Sequence, residues 1–431
     1  MATHSSISLG GPAMSATTAP SSTYVQDPTM ASSHSTFGWA STLFGTAIGA
    51  GILFLPLSAG AYGFWPLLIA TVLIGPLTYL SHYAYARIIA RSPQPGADLL
   101  AALTSYFGQS TGAWLAVAYL IMLFPVLLVY SVSITTTVDN FIVNQLGGPE
   151  IPRWILAPIL IGLLVAALAF GERIMLAAAE LLVVPLLIAL GAFSLYLIPQ
   201  WDLGSFLTVS SEHSFWESLV LILPVLVFSF TFIGSLSQFA VSTQRSHGEF
   251  AEARLSRVIM LTTVLLTVFT MFFVWSCALA LGADGMAQAA ADNLPVLSYF
   301  ANTTGTPFLA LVTPIVAICA IASSFIGVAL GAREGLQFLG ARLNPSQREL
   351  SDAPVYLFIF TVATFVAIVE PSVMDLITVA GGLLITIFQF GVPMLAVYAV
   401  ARLAPLRRSP GNAVIIAFGA VVLGSTIWGF F

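Results

Sequence analysis

The stretch "FGTAIGAGILFLP", residues 44–56, places three glycines within seven residues and a proline shortly after them. In a helix interior, each glycine costs about 1 kcal/mol relative to alanine. The surrounding run from Phe37 to Leu57 nevertheless carries no charged residue and is long enough to cross a bilayer. The stretch therefore predicts either a helix that another helix approaches closely, or a helix whose backbone opens to bind something.

The composition of the whole chain indicates a membrane protein. Of 431 residues, 58% are hydrophobic and only 7% are charged, and the mean hydropathy is +0.98. A soluble domain has about 25% charged residues, so most of this chain must face lipid or its own interior. We predict an all-α integral membrane protein. The two cysteines, Cys277 and Cys319, both lie in apolar segments, which argues against a disulfide framework.

Eleven apolar segments follow one another along the chain, and we predict that each crosses the membrane. Their approximate bounds are 37–58, 63–90, 113–143, 154–170, 173–198, 215–242, 256–281, 307–338, 353–370, 372–402 and 411–430. The first 36 residues are rich in Ser, Thr, Ala and Pro, and they lack the basic start and apolar core of a signal peptide. We predict that residues 1–36 form a disordered cytoplasmic tail.

The distribution of arginine predicts the orientation of the spans. The chain has no lysine, and all 13 basic residues are arginines. A cytoplasmic N-terminus with eleven spans places twelve of them inside and only Arg153 outside, in keeping with the positive-inside rule. Dividing the 372–402 segment into two spans would move Arg402, Arg407 and Arg408 to the outside. We therefore predict a cytoplasmic N-terminus and an extracytoplasmic C-terminus.

A second motif suggests an internal repeat. "TAIGA" at 46–50 matches "TFIGS" at 231–235 in three of five positions. The two motifs lie in segments one and six, five crossings apart, so the two copies have opposite topology. Interrupted helices at corresponding positions of two inverted halves are typical of the central site of a transporter. Channels and membrane enzymes have no need of this arrangement.

Two stretches carry a resemblance to a known family. "FGTAIGAGILFLPLSAGAYGFWPLL" at 44–68 and "LGAREGL" at 330–336 resemble the hydroxy/aromatic amino acid permease family, and its serine/threonine transporter branch most closely. These permeases are symporters of the bacterial cytoplasmic (inner) membrane, in the amino acid/polyamine/organocation superfamily. The resemblance implies a LeuT-like fold in which helices 1 and 6 are discontinuous. It also implies a five-helix repeat at 37–198, an inverted five-helix repeat at 215–402 and one extra helix at 411–430.

Broken helices suit an amino acid zwitterion, which needs partners for both of its charges at the dry midplane of a membrane. The start of a half-helix offers free N–H groups to a carboxylate, and the end of another offers free C=O groups to an ammonium. By resemblance, the substrate-binding groups would be the amides of Gly49, Ala50 and Gly51 for the carboxylate and the carbonyls of Ala47, Phe230 and Ile233 for the ammonium.

Other readings of these residues stay open. Gly45 and Gly49 form a GxxxG pair, which is also typical of plain helix packing. Thr231 is a candidate hydrogen-bond partner for a substrate hydroxyl. In segment three, Tyr119 and Tyr130 lie nearly on one helix face, and each either reaches the pocket or bonds a neighbouring helix.

The resemblance also implies a possible ion site. In sodium-coupled members of this fold, carbonyls of segment one and hydroxyls of segment eight form an oxygen cage around the ion. The matching groups here would be the carbonyls of Ala47 and Ile48 and the hydroxyls of Ser323 and Ser324. Oxygen ligands suit a small hard cation. Serine is equally common between packed membrane helices, so the pair leaves both interpretations open.

Proton coupling requires a group that changes charge, and Glu180 in segment five is the candidate. A carboxylate within an apolar run must be paired, reach water or take up a proton. His82 is a second candidate, although it lies near the cytoplasmic end with Arg87 and can also simply bond a neighbour. The resemblance favours H⁺ as the coupling ion, with Na⁺ as the alternative, and no cofactor is expected.

The motifs of several common enzyme classes do not occur in the sequence. We find no HExxH, no Cys/His metal cluster and no P-loop, and no basic block that suggests nucleic acid. We predict symport of serine or threonine into the cell by alternating access. An aromatic amino acid permease for Trp or Tyr and a sodium-coupled symporter of the same fold are the alternatives. The expected partners are the amino acid and membrane lipid, with no obligate protein partner.

Overall fold

The chain forms a bundle of helices in a computed structural model that describes residues 36–94, 96–168, 172–207, 214–247, 250–303, 305–343 and 351–429. The side chains of residues 172–184, 205, 341 and 343 lie outside this description, and so do residues 1–35 of the predicted tail. The α-helices, numbered in chain order, are α1 Thr36–Ala47, α2 Ala50–Gly60, α3 Phe64–Ala90, α4 Leu99–Phe107, α5 Gln109–Asn140, α6 Arg153–Leu168, α7 Glu172–Leu197, α8 Leu203–Leu207, α9 Phe215–Ser229, α10 Ile233–His247, α11 Ala251–Ala291, α12 Val296–Thr303, α13 Pro307–Leu343, α14 Asp352–Val369, α15 Val373–Ile377, α16 Val392–Ala399 and α17 Gly411–Trp428.

The number of membrane spans depends on how bent and short helices are counted. Within the described residues, seven helices are long and apolar enough to cross a membrane, or nine if each of two bent pairs is one span. The bent pairs are α1 with α2 and α9 with α10. Two shorter apolar helices cover Arg153–Leu168 and Pro185–Gln200. The predicted all-helical architecture with several spans is confirmed, whereas eleven spans require both bent pairs and both shorter helices to cross.

The glycine-rich stretch at 44–56 forms the bend between α1 and α2. The first helix ends at Ala47 and the second begins at Ala50, and their axes differ in direction by 61°. Gly49, between them, is extended, with φ −145° and ψ −152°. All eleven residues of α2 are buried. The bend therefore lies inside the bundle, where its backbone groups face other protein segments.

A second bend separates α9 from α10. The first of these helices ends at Ser229, the second begins at Ile233, and the bend is 50°. The start of α9 is fixed by a capping box in which Ser214 accepts from the N–H of Glu217 and the Glu217 carboxylate accepts from the N–H of Ser214. Residues 230–232 form the irregular turn between the two helices.

The longest helices enclose these bends. α5 and α13 pack against each other over much of their length, because Gly331 and Gly335 of α13 bring the Leu123 and Leu120 side chains of α5 close to its backbone. α11 packs against α1, α2 and α3. Its regular path is interrupted at Gly282, where φ is 65°, a value that glycine adopts without steric cost.

The segment predicted at 372–402 has a π-helical middle part between two short α-helices. π-helical turns cover Thr378–Ile385 and Ile387–Gly391, before the short helix α16. Gly381 lies so close to α9 that an added Cβ would overlap the carbonyl oxygen of Pro224. The Tyr85 hydroxyl of α3 donates to the carbonyl of Phe388 at 2.5 Å. Contacts with α3 and α9 thus stabilise this irregular segment, and π-helical turns occur frequently at functional sites.

Candidate functional site

The first bend contains backbone N–H groups that have no hydrogen-bond acceptor within their own helix. The N–H of Ile48 closes the last turn of α1 on the carbonyl of Phe44 at 3.0 Å. The N–H of Ile52 bonds the carbonyl of Gly49 at 3.2 Å and opens α2. Because the first N–H groups of a helix have no intrahelical acceptor, those of Ala50 and Gly51 mark the electropositive end of α2.

Side chains from α5 and α13 meet at Gly49. The Ser324 hydroxyl donates to the carbonyl of Ile48 at 3.1 Å, and the Tyr130 hydroxyl lies close to Gly49. A Cβ added to Gly49 would overlap the Ser324 hydroxyl and lie 2.9 Å from the Tyr130 oxygen. The φ of Gly49 is accessible to any residue, so close approach of two helices, and not backbone strain, requires glycine here.

The second bend is held by a histidine from α3. The N–H of Phe232 donates to Nε2 of His82 at 3.1 Å, and the His82 ring stacks on the Phe232 ring with centroids 3.7 Å apart. Phe230 and Phe232 are fully buried, whereas Thr231 between them is half-buried. Of the three residues in the turn, Thr231 is therefore the one with accessible surface.

The two bends lie against each other with opposite ends of helices facing. A Cβ added to Gly51 would lie 2.8 Å from Cδ1 of Phe228 and 3.0 Å from Cα of Ser229. The electropositive start of α2 is therefore beside the electronegative end of α9. The Ser229 hydroxyl is buried here without a hydrogen-bond partner among the described residues. This arrangement offers N–H groups, carbonyls and one hydroxyl within a small region.

The remaining halves of the two bent pairs also touch. The hydroxyls of Thr46 on α1 and Ser235 on α10 are 2.6 Å apart, and both belong to the repeated motif. The glycines that the motif aligns have different surroundings. Gly49 is crowded, whereas Gly234 is exposed and an added Cβ there would meet no heavy atom within 4 Å. The pairing is thus α1 with α10 and α2 with α9.

Comparison with known proteins identifies the family. Residues 32–427 match the tryptophan/tyrosine permease family. The chain belongs to this family. The permease is 34% identical over 427 residues to the serine transporter SdaC of Escherichia coli (strain K12), a match that covers 94% of this chain and 99% of that protein. It is 32% identical to the threonine/serine transporter TdcC of Escherichia fergusonii, with coverage of 91% and 95%.

A solved structure supports the fold of the permease. Mhp1, a nucleobase-cation-symport-1 family transporter in a closed conformation with bromovinylhydantoin bound, matches with a TM-score of 0.53 and 15% sequence identity. The match covers 92% of each chain. At this identity the likeness shows the fold alone, which is that of a LeuT-like transporter. Since the sequence relatives are transporters and not enzymes, the predicted family and the predicted absence of an enzyme activity are confirmed.

The predicted site residues of the permease fall into three groups. The two bends and their edges contain five predicted residues, namely Gly49, Ala50, Gly51, Phe230 and Thr231. Ile233 is instead the first residue of α10, where its carbonyl is engaged by the hydrogen bonds of the helix. Ile48 and Ser324 are in direct contact, while Ser323 donates to the carbonyl of Ala320 within its own helix at 3.0 Å. Ala47 ends α1 beside them. The Glu180 side chain lies outside the described residues, so its role stays a prediction.

Two side chains at the bends were underestimated by sequence reasoning. The Tyr130 hydroxyl lies against Gly49 at the first bend, although its spacing from Tyr119 left its direction open. His82 binds the second bend, although its position near Arg87 suggested a peripheral role. The signal for both is a polar side chain within an apolar segment, which the bundle can bury only if it finds a partner.

A separate cleft of about 700 Å³ lies at the end of the bundle that carries Arg153. Its charged lining residues are Asp139, Glu150, Arg153, Asp292 and Glu370. Arg153 donates to the Glu370 carboxylate at 2.7 Å and to the hydroxyl of Thr136 at 3.3 Å. No residue of either bend lines this cleft. It is therefore distinct from the candidate site.

Proposed function

We propose that this permease is a secondary active transporter that carries serine or threonine into the cell together with an ion. The observation that carries the proposal is the contact between the start of α2 and the end of α9. A zwitterion placed there would have its carboxylate at the N–H groups of α2 and its ammonium at the carbonyls that end α9. Both substrate charges would then be satisfied without a charged side chain.

The crowding of the site favours a small hydroxylated substrate. Tyr130 and Ser324 lie against Gly49, and Phe228 lies against Gly51. The hydroxyls of Ser229 and Thr231 are the polar side chains nearest to the end of α9 in sequence, and that of Ser229 is buried without a partner in the described part of the chain. A substrate hydroxyl would supply the missing hydrogen bond. The serine and threonine/serine transporters among the relatives support the same choice, while the family name keeps aromatic amino acids as the alternative.

The proposed topology has eleven spans with a cytoplasmic N-terminus. Seven long helices, two bent pairs and two shorter apolar helices make up this number. In this interpretation α1 with α2 and α9 with α10 are the discontinuous helices 1 and 6 of a five-plus-five inverted repeat. The first repeat covers 37–198, the second covers 215–402, and α17 is the extra helix. The excess of arginine on one side supports the orientation.

Uptake by reconstituted protein tests the proposal. Radiolabelled L-serine would be offered to proteoliposomes under an imposed proton gradient or sodium gradient, with unlabelled threonine and tryptophan as competitors. We expect accumulation under an inward proton gradient without sodium, and competition by threonine. Accumulation only under a sodium gradient would show that Na⁺, and not H⁺, is the coupling ion. Uptake of tryptophan or tyrosine without uptake of serine would contradict the proposed substrate.

The two adjacent serines of α13 are expected to differ in their effect on uptake. Ser324→Ala removes the hydrogen bond to the carbonyl of Ile48 and leaves that carbonyl unpaired, which costs about 1 to 3 kcal/mol. We expect uptake of serine at low concentration to fall roughly tenfold. Ser323→Ala is the matched control, because its hydroxyl bonds within its own helix, and uptake should stay near the wild-type rate. Equal effects of the two substitutions would contradict a specific role of Ser324.

Glu180 is expected to couple transport to protons. Glu180→Gln removes the group that could bind and release a proton in an apolar segment. We expect the variant to lose accumulation of serine against a gradient and to keep exchange of internal for external serine. Glu150→Gln, an exposed carboxylate at the Arg153 end, is the control. Unchanged accumulation with an unchanged pH dependence would remove Glu180 from the coupling mechanism.

A further inference from the structure

The side chain of His82 is buried in the bundle and both of its ring nitrogens are engaged. It has 0% relative exposure. Nδ1 lies 2.8 Å from the carbonyl of Thr78 on the same helix, and Nε2 accepts the N–H of Phe232 at 3.1 Å. A carbonyl can only accept, so Nδ1 carries the hydrogen, and Nε2 must present its lone pair. The partners therefore determine a neutral imidazole with one tautomer.

His82 accepts the N–H of Phe232, which has no hydrogen-bond acceptor within the second bend itself. Inside a helix, the N–H of Phe232 would bond a carbonyl four residues earlier. The bend removes that acceptor, and Phe232 is fully buried, so water cannot replace it. An unpaired N–H in such a place strongly disfavours the conformation that exposes it. The irregular conformation of the turn thus depends on an acceptor supplied by another helix.

The bond also affects the polarity of the turn. The carbonyl groups at the end of α9 are the ones proposed to receive the substrate ammonium. A free N–H of Phe232 in the same short segment would repel that ammonium. Because Nε2 of His82 accepts this N–H, and its ring stacks on the Phe232 ring, this donor is no longer free to repel the ammonium. The first bend offers the N–H groups that begin α2.

We propose that His82 is a positioning residue that keeps the second bend open and electronegative by accepting the N–H of Phe232. The role in substrate affinity rests on the proposed function, whereas the role in holding the bend does not. Neighbours on α3 extend the same support, since the Ser81 hydroxyl accepts from the Gln389 side chain at 3.1 Å and Tyr85 bonds the carbonyl of Phe388. One face of α3 therefore binds both the second bend and the π-helical segment.

Three substitutions on α3 test the assignment. His82→Phe keeps an aromatic ring for stacking but has no acceptor. His82→Gln can place its amide oxygen near the position of Nε2 and restore the acceptor, although it cannot carry a charge. Tyr79→Phe is the matched control, because it removes the hydrogen bond of 2.8 Å between the Tyr79 and Ser256 hydroxyls, which joins α3 to α11 and does not involve the bend.

Two measurements separate the proposal from the proposed function. The first is hydrogen–deuterium exchange of the peptide that covers residues 230–232 in the purified protein, and the second is the KM and maximal rate of L-serine uptake at several pH values. We expect His82→Phe to speed exchange and to raise KM about tenfold or more, with a smaller change in maximal rate. His82→Gln should return both values to within a few-fold of wild type, with an unchanged pH profile, and Tyr79→Phe should alter neither.

Other results would overturn the assignment. Unchanged exchange and KM in His82→Phe would show that the bend does not need the acceptor. Failure of His82→Gln to restore them, or a pH profile altered in that variant, would indicate that the histidine acts by its charge. Equal defects in His82→Phe and Tyr79→Phe would indicate general packing. If the wild-type protein carries no serine, the exchange measurement still decides the structural role.

Discussion

Substitution of Gly49 by alanine is expected to abolish most substrate uptake while the protein still reaches the membrane. The added methyl group would overlap the Ser324 hydroxyl and crowd the Tyr130 oxygen. Overpacking of this kind costs about 1 to 3 kcal/mol, and each 1.4 kcal/mol corresponds to about a factor of ten in an equilibrium constant. Since the methyl group also lies beside the N–H groups proposed for the carboxylate, we expect at least a tenfold loss of uptake, measured as initial rate of L-serine entry per unit of protein.

The matched control for Gly49→Ala is Gly327→Ala in α13. Gly327 lies three residues after Ser324, and an added Cβ there would meet no heavy atom of the described residues within 4 Å. Alanine is also the better helix former, so Gly327→Ala should transport at least as well as wild type. Normal uptake by Gly49→Ala with unchanged affinity for serine would show that the close contact at the first bend has no part in binding.

Gly381→Ala is expected to have the largest effect on stability. The added Cβ would overlap the backbone carbonyl oxygen of Pro224 and lie 2.8 Å from Cβ of Phe228. A backbone atom inside a helix cannot move aside cheaply, so the π-helical segment and α9 must separate. We expect a cost of about 3 kcal/mol or more. With roughly 2–4 °C per kcal/mol in domains of 150–250 residues, the thermal unfolding midpoint in detergent should fall by at least about 5 °C.

Gly391→Ala controls for the loss of a glycine in the same segment. Gly391 has φ −73°, which alanine adopts readily, and an added Cβ would meet no heavy atom within 4 Å. Its midpoint should stay within about 1 °C of wild type or rise slightly, because the unfolded chain loses freedom. If the two variants unfold at the same temperature, the close contact between Gly381 and Pro224 does not contribute to stability.

The positions of the bends could be predicted because their causes are local. Three glycines near Ile48 weaken a helix wherever they occur, and the repeated motif directed attention to residues 231–235. The bounds of the long helices also follow from apolar runs of sufficient length. These features depend on a few consecutive residues, so they can be recognised without knowing what lies beside them in the fold.

The partners of the bends could not be predicted, because they depend on contacts between distant segments. His82 and Phe232 are 150 residues apart, and their bond exists only once α3 lies beside the second bend. The π-helical turns of 378–391 contain three glycines, Gly381, Gly382 and Gly391, and no proline, since Pro393 lies after them. Contacts with Pro224 and Tyr85 stabilise that geometry. Such features emerge from the packed bundle.

The face of α3 that carries Ser81, His82 and Tyr85 has a mechanical consequence. Because one helix is bonded to the second bend and to the π-helical segment, neither can slide past the other without breaking bonds to that helix. The three are expected to move as a single rigid body when the permease changes conformation. The contact of Ser324 with the carbonyl of Ile48 instead joins α13 to the first bend by one hydrogen bond. We expect α13 and the first bend to slide past each other at this contact. Spectroscopic labels placed on α13 and on the first bend should therefore change their distance during transport, whereas labels on α3 and the second bend should not.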